Sequence, residues 1–123
     1  MHNICCSHIL RNVALSFLLW VSKMELKEAF GATLRQARLQ KGLTQEHFAL
    51  VSSRTNVSLL ERGGTSPTLE KLESLCSVLG VHPVTLVAAC YMRKECSPGI
   101  EDFLRQIDSE LQSLQVDQPS TDK

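Results

Sequence analysis

Aromatic residues are scarce in this chain: one Trp, one Tyr and four Phe make up 5% of it. With hydrophobic residues at 43%, a core is affordable, but it has to be built mainly of Leu, Val and Ala. Net charge is also missing, since thirteen Lys/Arg balance thirteen Asp/Glu. That balance argues against binding any polyanion by bulk charge. Long apolar runs are absent too. VALSFLLWV, Val13 to Val21, is broken by Ser16, and it falls far short of the ~18–20 apolar residues that span a bilayer. Nor does it resemble a signal peptide, because the early basic residue, Arg11, lies inside the segment and no small-residue cleavage site follows. No membrane association is expected, and the chain is expected to be cytoplasmic.

Cysteine is present in an odd number, five, without repeating spacing, so no disulfide framework is expected. Cys76 and Cys90 lie on apolar helical faces and read as small buried residues. Cys5, Cys6 and His8 invite comparison with a zinc site, but adjacent cysteines chelate poorly and a fourth ligand is lacking. No nucleophile–base set and no phosphate-cradling glycine loop stands out either. The sequence therefore predicts no enzyme, no metal and no cofactor.

The 123 residues support one domain with appendages. Residues 1–23 read as an apolar extension outside the domain, which would begin near Met24 and run to Met92. Charge is uneven across these parts. From Met24 to Tyr91, seven Lys/Arg stand against six acids, whereas from Met92 onward four stand against seven. A faintly basic domain is thus followed by an acidic tail. Residues 93–99 read as a linker containing Pro98 and Gly99, residues 100–116 as a further helix, and residues 117–123 as a polar, disordered end.

Within the domain the pattern is all helical. Leu26, Phe30, Leu34 and Ala37 recur at helical spacing and predict a helix from about Leu26 to Lys41, stopped by Gly42. Thr44 can cap a second helix with Phe48, Ala49 and Val51 inward, and Ser52 or Ser53 a third with Val57 and Leu60 inward. Two short helices joined by a tight turn form a helix-turn-helix, which presents its second helix to the major groove. No glycine lies between Gly42 and Gly63. The turn must then be tight, or the second helix must end early, with a serine where positive φ would otherwise favour glycine. After a Gly64–Pro67 loop, Thr68 caps a helix with Leu69, Leu72, Leu75, Cys76 and Leu79 on one face, ended by Gly80. His82 and Pro83 open another, with Leu86, Val87, Cys90 and Tyr91 inward.

Four stretches, LRQARLQKGLTQE, SLLERG, SPTLEKL and LGVHPVTLV, together resemble the lambda-repressor-like (Xre/Cro) helix-turn-helix DNA-binding domains. The resemblance covers about Leu34 to Tyr91. It implies an all-α, five-helix lambda-repressor-like bundle, here with an additional C-terminal helix. It also implies that Arg38 pairs with Glu61 of the ERG motif as an architectural ion pair; read as residues alone, both are ordinary surface charges. Gln45 resembles the family's phosphate-clamping glutamine, and His47 stands where the family often has a glutamate that closes the cap.

Helical geometry sorts the recognition helix once Val57 and Leu60 face inward. Thr55 and Arg62 then point most directly outward, Ser58 and Leu59 come next, and Arg54 and Asn56 flank them. Arg54 can donate twice to guanine, Asn56 can pair with adenine, and Thr55 can meet a thymine methyl. Ser58 joins this base-contact set. Leu59 suits either a thymine methyl or packing against the linker or the partner subunit. Gln45, Arg62 and Thr65 are candidate phosphate contacts, which position a protein without specifying sequence.

Beyond the linker, Ile100, Leu104, Ile107, Leu111 and Leu114 alternate spacings of four and three, a heptad seam of about two heptads with Phe103 beside it. This seam predicts self-association; the alternative is that Phe103, Leu104 and Ile107 fold back over their own domain. The function expected is a sequence-specific double-stranded DNA-binding regulator, acting as a repressor and as a homodimer on a two-fold symmetric operator. The alternative is an antitoxin or antagonist whose terminal helix binds a partner protein.

Overall fold

A computed structural model describes residues 24–96 and 99–114 of the chain. The described residues form five α-helices and one short 3-10 helix, with no strand among them. They are α1 (Leu26–Gln40), the 3-10 helix (Gln45–Phe48), α2 (Arg54–Glu61), α3 (Leu69–Leu79), α4 (Pro83–Glu95) and α5 (Ile100–Ser113). The apolar extension, Cys5, Cys6 and His8, the polar end and the Ser97-Pro98 part of the linker lie outside the described residues. No single described helix is long and apolar enough to cross a membrane.

α2, α3, α4 and the 3-10 helix start where the sequence supplies an acceptor, whereas α5 follows Gly99, which has none. Ser53 Oγ accepts the Asn56 N–H at 3.1 Å and opens α2; Thr68 Oγ1 accepts the Lys71 N–H at 3.1 Å and opens α3. His82 Nδ1 accepts the Val84 N–H at 3.0 Å, and Pro83 takes the first position of α4, where no N–H is needed. His47 replaces a carboxylate in the cap of the 3-10 helix: its Nδ1 accepts the Thr44 N–H at 2.8 Å.

The core joins Ala29, Phe30 and Leu34 of α1 to Phe48, to Val57 and Leu60 of α2, and to the inner faces of α3 and α4. Leu, Val and Cys make up most of it, as the shortage of aromatics requires. Burial pushes the Cys76 thiol up; it does the same to Cys90, with Arg93 and Lys94 pulling the latter partly back. Both behave as small apolar fillers. Arg93 also stitches α4 to α1, donating to Thr33 Oγ1 at 3.2 Å and to Gln36 Oε1.

Several expectations are corrected here. The second helix is a single 3-10 turn, so it does end early. Phe48, its last residue, is buried, and Val51 packs against the core from the turn that follows, while Ala49 turns out to solvent and Leu50 is 99% exposed. No positive φ is needed between Gly42 and Gly63, and the serines of the turn keep ordinary backbone angles. Leu26 and Leu69 lie outside the core, 41% and 81% exposed; each is the first residue of its helix, and none of the described elements covers it. Val87 and Tyr91 are only half-buried. α4 continues through Glu95, so the first three residues of the expected linker are helix.

Two features fix α2 against α1. The first is a close crossing at Gly31, where a Cβ would lie 2.4 Å from the Leu60 carbonyl oxygen and 2.6 Å from that of Glu61. Helix backbones approach this closely only where one of them carries no side chain. The second is the Arg38–Glu61 ion pair, which forms as the resemblance implies. Arg38 Nε donates to Glu61 Oε2 at 2.6 Å and Nη2 to Oε1 at 2.9 Å, with both residues buried. The remaining arm of the fork, Nη1, donates to the Leu43 carbonyl at 3.0 Å. One guanidinium thereby ties the end of α1, the following loop and the end of α2. Hydrogen bonding to Glu61 raises the Arg38 pKa against the opposing cost of burial, so the charge is permanent.

Two outcomes follow for stability. Gly31→Ala is expected to cost at least the ~1–3 kcal/mol of an overpacked core, because backbone rather than a side chain has to move; urea unfolding measures it. Arg38→Met alone should cost about 3–5 kcal/mol by stranding Glu61, whereas Arg38→Met with Glu61→Leu should recover much of the loss. A double variant as unstable as the single one would show that the pair supplies net stability rather than mutual compensation.

Candidate nucleic-acid interface

The buried pair does more than join helices. Glu61 Oε1 also accepts from Gln45 Nε2 at 3.1 Å, so the first residue of the 3-10 helix is oriented by the last residue of α2. Gln45 is half-buried and spends one amide hydrogen this way. Its other amide hydrogen, together with the free N–H groups that begin any helix, remains for an anion. Lys71 of α3 donates to the Val51 carbonyl and holds the turn between the 3-10 helix and α2 from behind. The helix-turn-helix is thus fixed at both ends and at its corner.

On α2 the sorting made from helical geometry holds for the most outward residues. Arg54, Thr55 and Arg62 are exposed, while Ser58 and Asn56 are half-buried beside them and Val57 and Leu60 are fully covered. The polar residues gather in the first turn, where a recognition helix meets base edges. Three of them have internal partners. Arg54 Nη1 donates to Glu46 Oε2 at 3.2 Å. Asn56 Nδ2 donates to Ser52 Oγ at 2.8 Å, which fixes its carboxamide plane and leaves its oxygen and one hydrogen to recognise a base. Arg62 Nε donates to the Ser58 carbonyl at 3.3 Å, so its side chain lies back along the helix.

Leu59 is 37% exposed and rests on the loop: a Cβ at Gly64 would come within 2.5 Å of its Cδ1. The loop after α2, which neither alternative named, therefore accounts for part of this side chain. Thr65 is half-buried in the same loop. The preceding Gly63 takes φ +76° with its Cα against α1, where a Cβ would lie 3.1 Å from the Glu28 Cα. Sequence reasoning missed Glu46, Ser52 and Lys71. The first two border the candidate base contacts, and the partner of each lies eight or four residues away in a different element or turn, which helical periodicity does not reveal.

The C-terminal seam is set apart from this surface. No residue of α5 is buried: Ile100, Leu104, Leu111 and Leu114 are exposed, and Phe103 and Ile107 are half-buried without joining the core. The fold-back alternative is therefore not the arrangement seen. Arg105 pairs with Asp102 at 2.8 Å on the outer side of the helix.

Comparison with known proteins agrees with this geometry. The Helix-turn-helix family model matches residues 34–86. An HTH-type transcriptional regulator of Sinorhizobium fredii, y4dJ, is 39% identical over 66 residues, covering 52% of this chain and 86% of that protein. A putative HTH-type transcriptional regulatory protein of Aeropyrum pernix is 47% identical over 61 residues, but the matched stretch is only 18% of its length. Two crystal structures of the clp gene regulator ClgR from Corynebacterium glutamicum superpose with TM-scores of 0.52 and 0.53. The first is 34% identical and covers 55% of this chain and 91% of that one; the second is 27% identical and covers 76% and 92%. With its fold, its buried arginine–glutamate clamp and these relatives in agreement, the chain belongs to the helix-turn-helix family of DNA-binding transcriptional regulators, of the lambda-repressor-like (Xre) kind.

Proposed function

We propose that this chain reads a specific duplex DNA sequence as a homodimer and represses transcription from a two-fold symmetric operator. The observation that carries the reading is the state of α2. Its apolar face and its last residue are locked into the bundle, while Arg54 and Thr55 stand exposed in its first turn beside the N-terminus of the 3-10 helix. Arg54, Thr55 and Asn56, with Ser58 and Leu59 behind them, are the residues placed to meet base edges. Gln45, Arg62 and Thr65 flank them as phosphate contacts. Repression asks for nothing beyond occupancy, because a dimer seated on a promoter blocks access to it.

Dimerisation is what makes such a weakly charged domain an effective binder. One module covers one half-site, and a chain without net charge gains little from counterion release. Joining two modules makes the second contact intramolecular and raises affinity without any added residue at the DNA. The seam of Ile100, Leu104, Ile107, Leu111 and Leu114, exposed apart from half-buried Ile107, is the surface for it. Two heptads are short for an isolated coiled coil, so the exposed side of α4 contributes as well.

Two experiments test this reading. In binding titrations against a selected and a random duplex, Arg54→Ala should cost about 1–3 kcal/mol and relax preference at one base pair. Gln45→Ala should weaken both duplexes by similar factors; equal losses for Arg54→Ala would reduce it to a phosphate contact. Removing residues 97–123 should abolish the dimer in sedimentation while the bundle still melts cooperatively. A full-length chain that stays monomeric at every concentration would instead turn the seam toward a different protein, as an antitoxin or antagonist would use it.

A further inference from the structure

Among the described residues, the 3-10 helix and α2 together hold two acids. Glu61 is buried against Arg38, and Glu46 is exposed on the same side as Arg54. Glu46 Oε2 and Arg54 Nη1 are 3.2 Å apart, with 66% and 70% of their side chains exposed. An exposed pair of this kind contributes little to stability, so the fold does not depend on it. Its location, bridging the two elements that flank the interface, gives it another consequence. A carboxylate facing a phosphate backbone is repelled, and a guanidinium already paired to it releases fewer counterions on random DNA.

We infer that Glu46 is a specificity-determining residue: it withholds Arg54 from phosphates and orients its guanidinium toward a guanine edge. This inference rests on the DNA-binding reading proposed above. The guanidinium has five donors in a rigid fork. With Nη1 on Glu46, the donors on Nε and Nη2 remain for a bidentate approach to guanine O6 and N7. On a site lacking that guanine, Arg54 stays with Glu46 and the carboxylate repels the backbone. Discrimination thus comes from weakening the wrong complex as much as from strengthening the right one.

The test uses the full chain and its Glu46→Gln variant, titrated with a selected duplex and a shuffled duplex between 50 and 200 mM salt. Glu46→Gln is expected to bind the shuffled duplex several-fold more tightly and to steepen its salt slope by about 0.9, one more phosphate neutralised. The ratio of selected to shuffled affinity should fall several-fold. In an Arg54→Ala background the same substitution should leave that ratio unchanged. Arg54→Lys, which keeps the charge and loses the fork, should also lower the ratio. A Glu46→Gln variant whose affinities rise equally on both duplexes, or whose effect persists without Arg54, overturns the inference and leaves the DNA-binding reading intact. A wild-type chain that enriches no duplex from a randomised pool overturns both.

Discussion

The bidentate bond between Arg38 and Glu61 is the contact on which the presentation of α2 depends. It lies within the bundle, where two charges are costly to hold unless further hydrogen bonds accompany the pair. Here each nitrogen of the Arg38 fork has a partner, two on Glu61 and one on the Leu43 carbonyl, and Glu61 takes a further bond from Gln45. A single buried cluster therefore sets the end of the recognition helix, the loop leading to the helix-turn-helix and the residue that begins it. The bare backbone of Gly31 lets the helices approach closely enough for that bond to form. An apolar substitute of similar volume can fill the space, but it does not dictate where Gln45 points.

Fixing α2 so firmly suits a protein with little charge to spend. Electrostatic attraction is tolerant of position, whereas base-edge hydrogen bonds fail if a donor is misplaced. The interface is built to match: Asn56 is held by Ser52, Arg54 by Glu46, and the intervening turn by Lys71. Each of these bonds restricts a side chain or loop before DNA arrives, which lowers the ordering cost of binding. The amphipathic α5, apolar on one side and carrying its own Arg105–Asp102 pair on the other, lies outside this cluster. The association proposed for α5 and the reading proposed for α2 are thereby separable.

Much of the fold was legible in the sequence because its helices announce their own ends. Thr44, Ser53, Thr68 and His82-Pro83 each mark an N-terminus and are observed there. Arg38 with Glu61 was legible only through the family resemblance, since 23 residues separate them and nothing in the local pattern pairs them. Periodicity misplaced Ala49 because it carries the helix past Phe48, where the chain has already turned out of it. Leu26 and Leu69 mislead for another reason: a helix's first residue can fit an apolar stripe although none of the described elements covers it. Glu46 gives no signal in the sequence, because an acid beside a candidate phosphate contact reads as ordinary solvation until its partner across the turn is seen.

The central claim is that DNA meets the N-terminal turn of α2 together with the start of the 3-10 helix, and amide chemical-shift mapping tests it most directly. An isotopically labelled full-length chain would be titrated with a duplex enriched from a randomised pool. The shifts should concentrate at Gln45, Glu46 and Arg54 to Ser58, leaving the outer side of α5 unchanged. Shifts confined to α4 and α5, with the α2 amides unmoved, would contradict the claim.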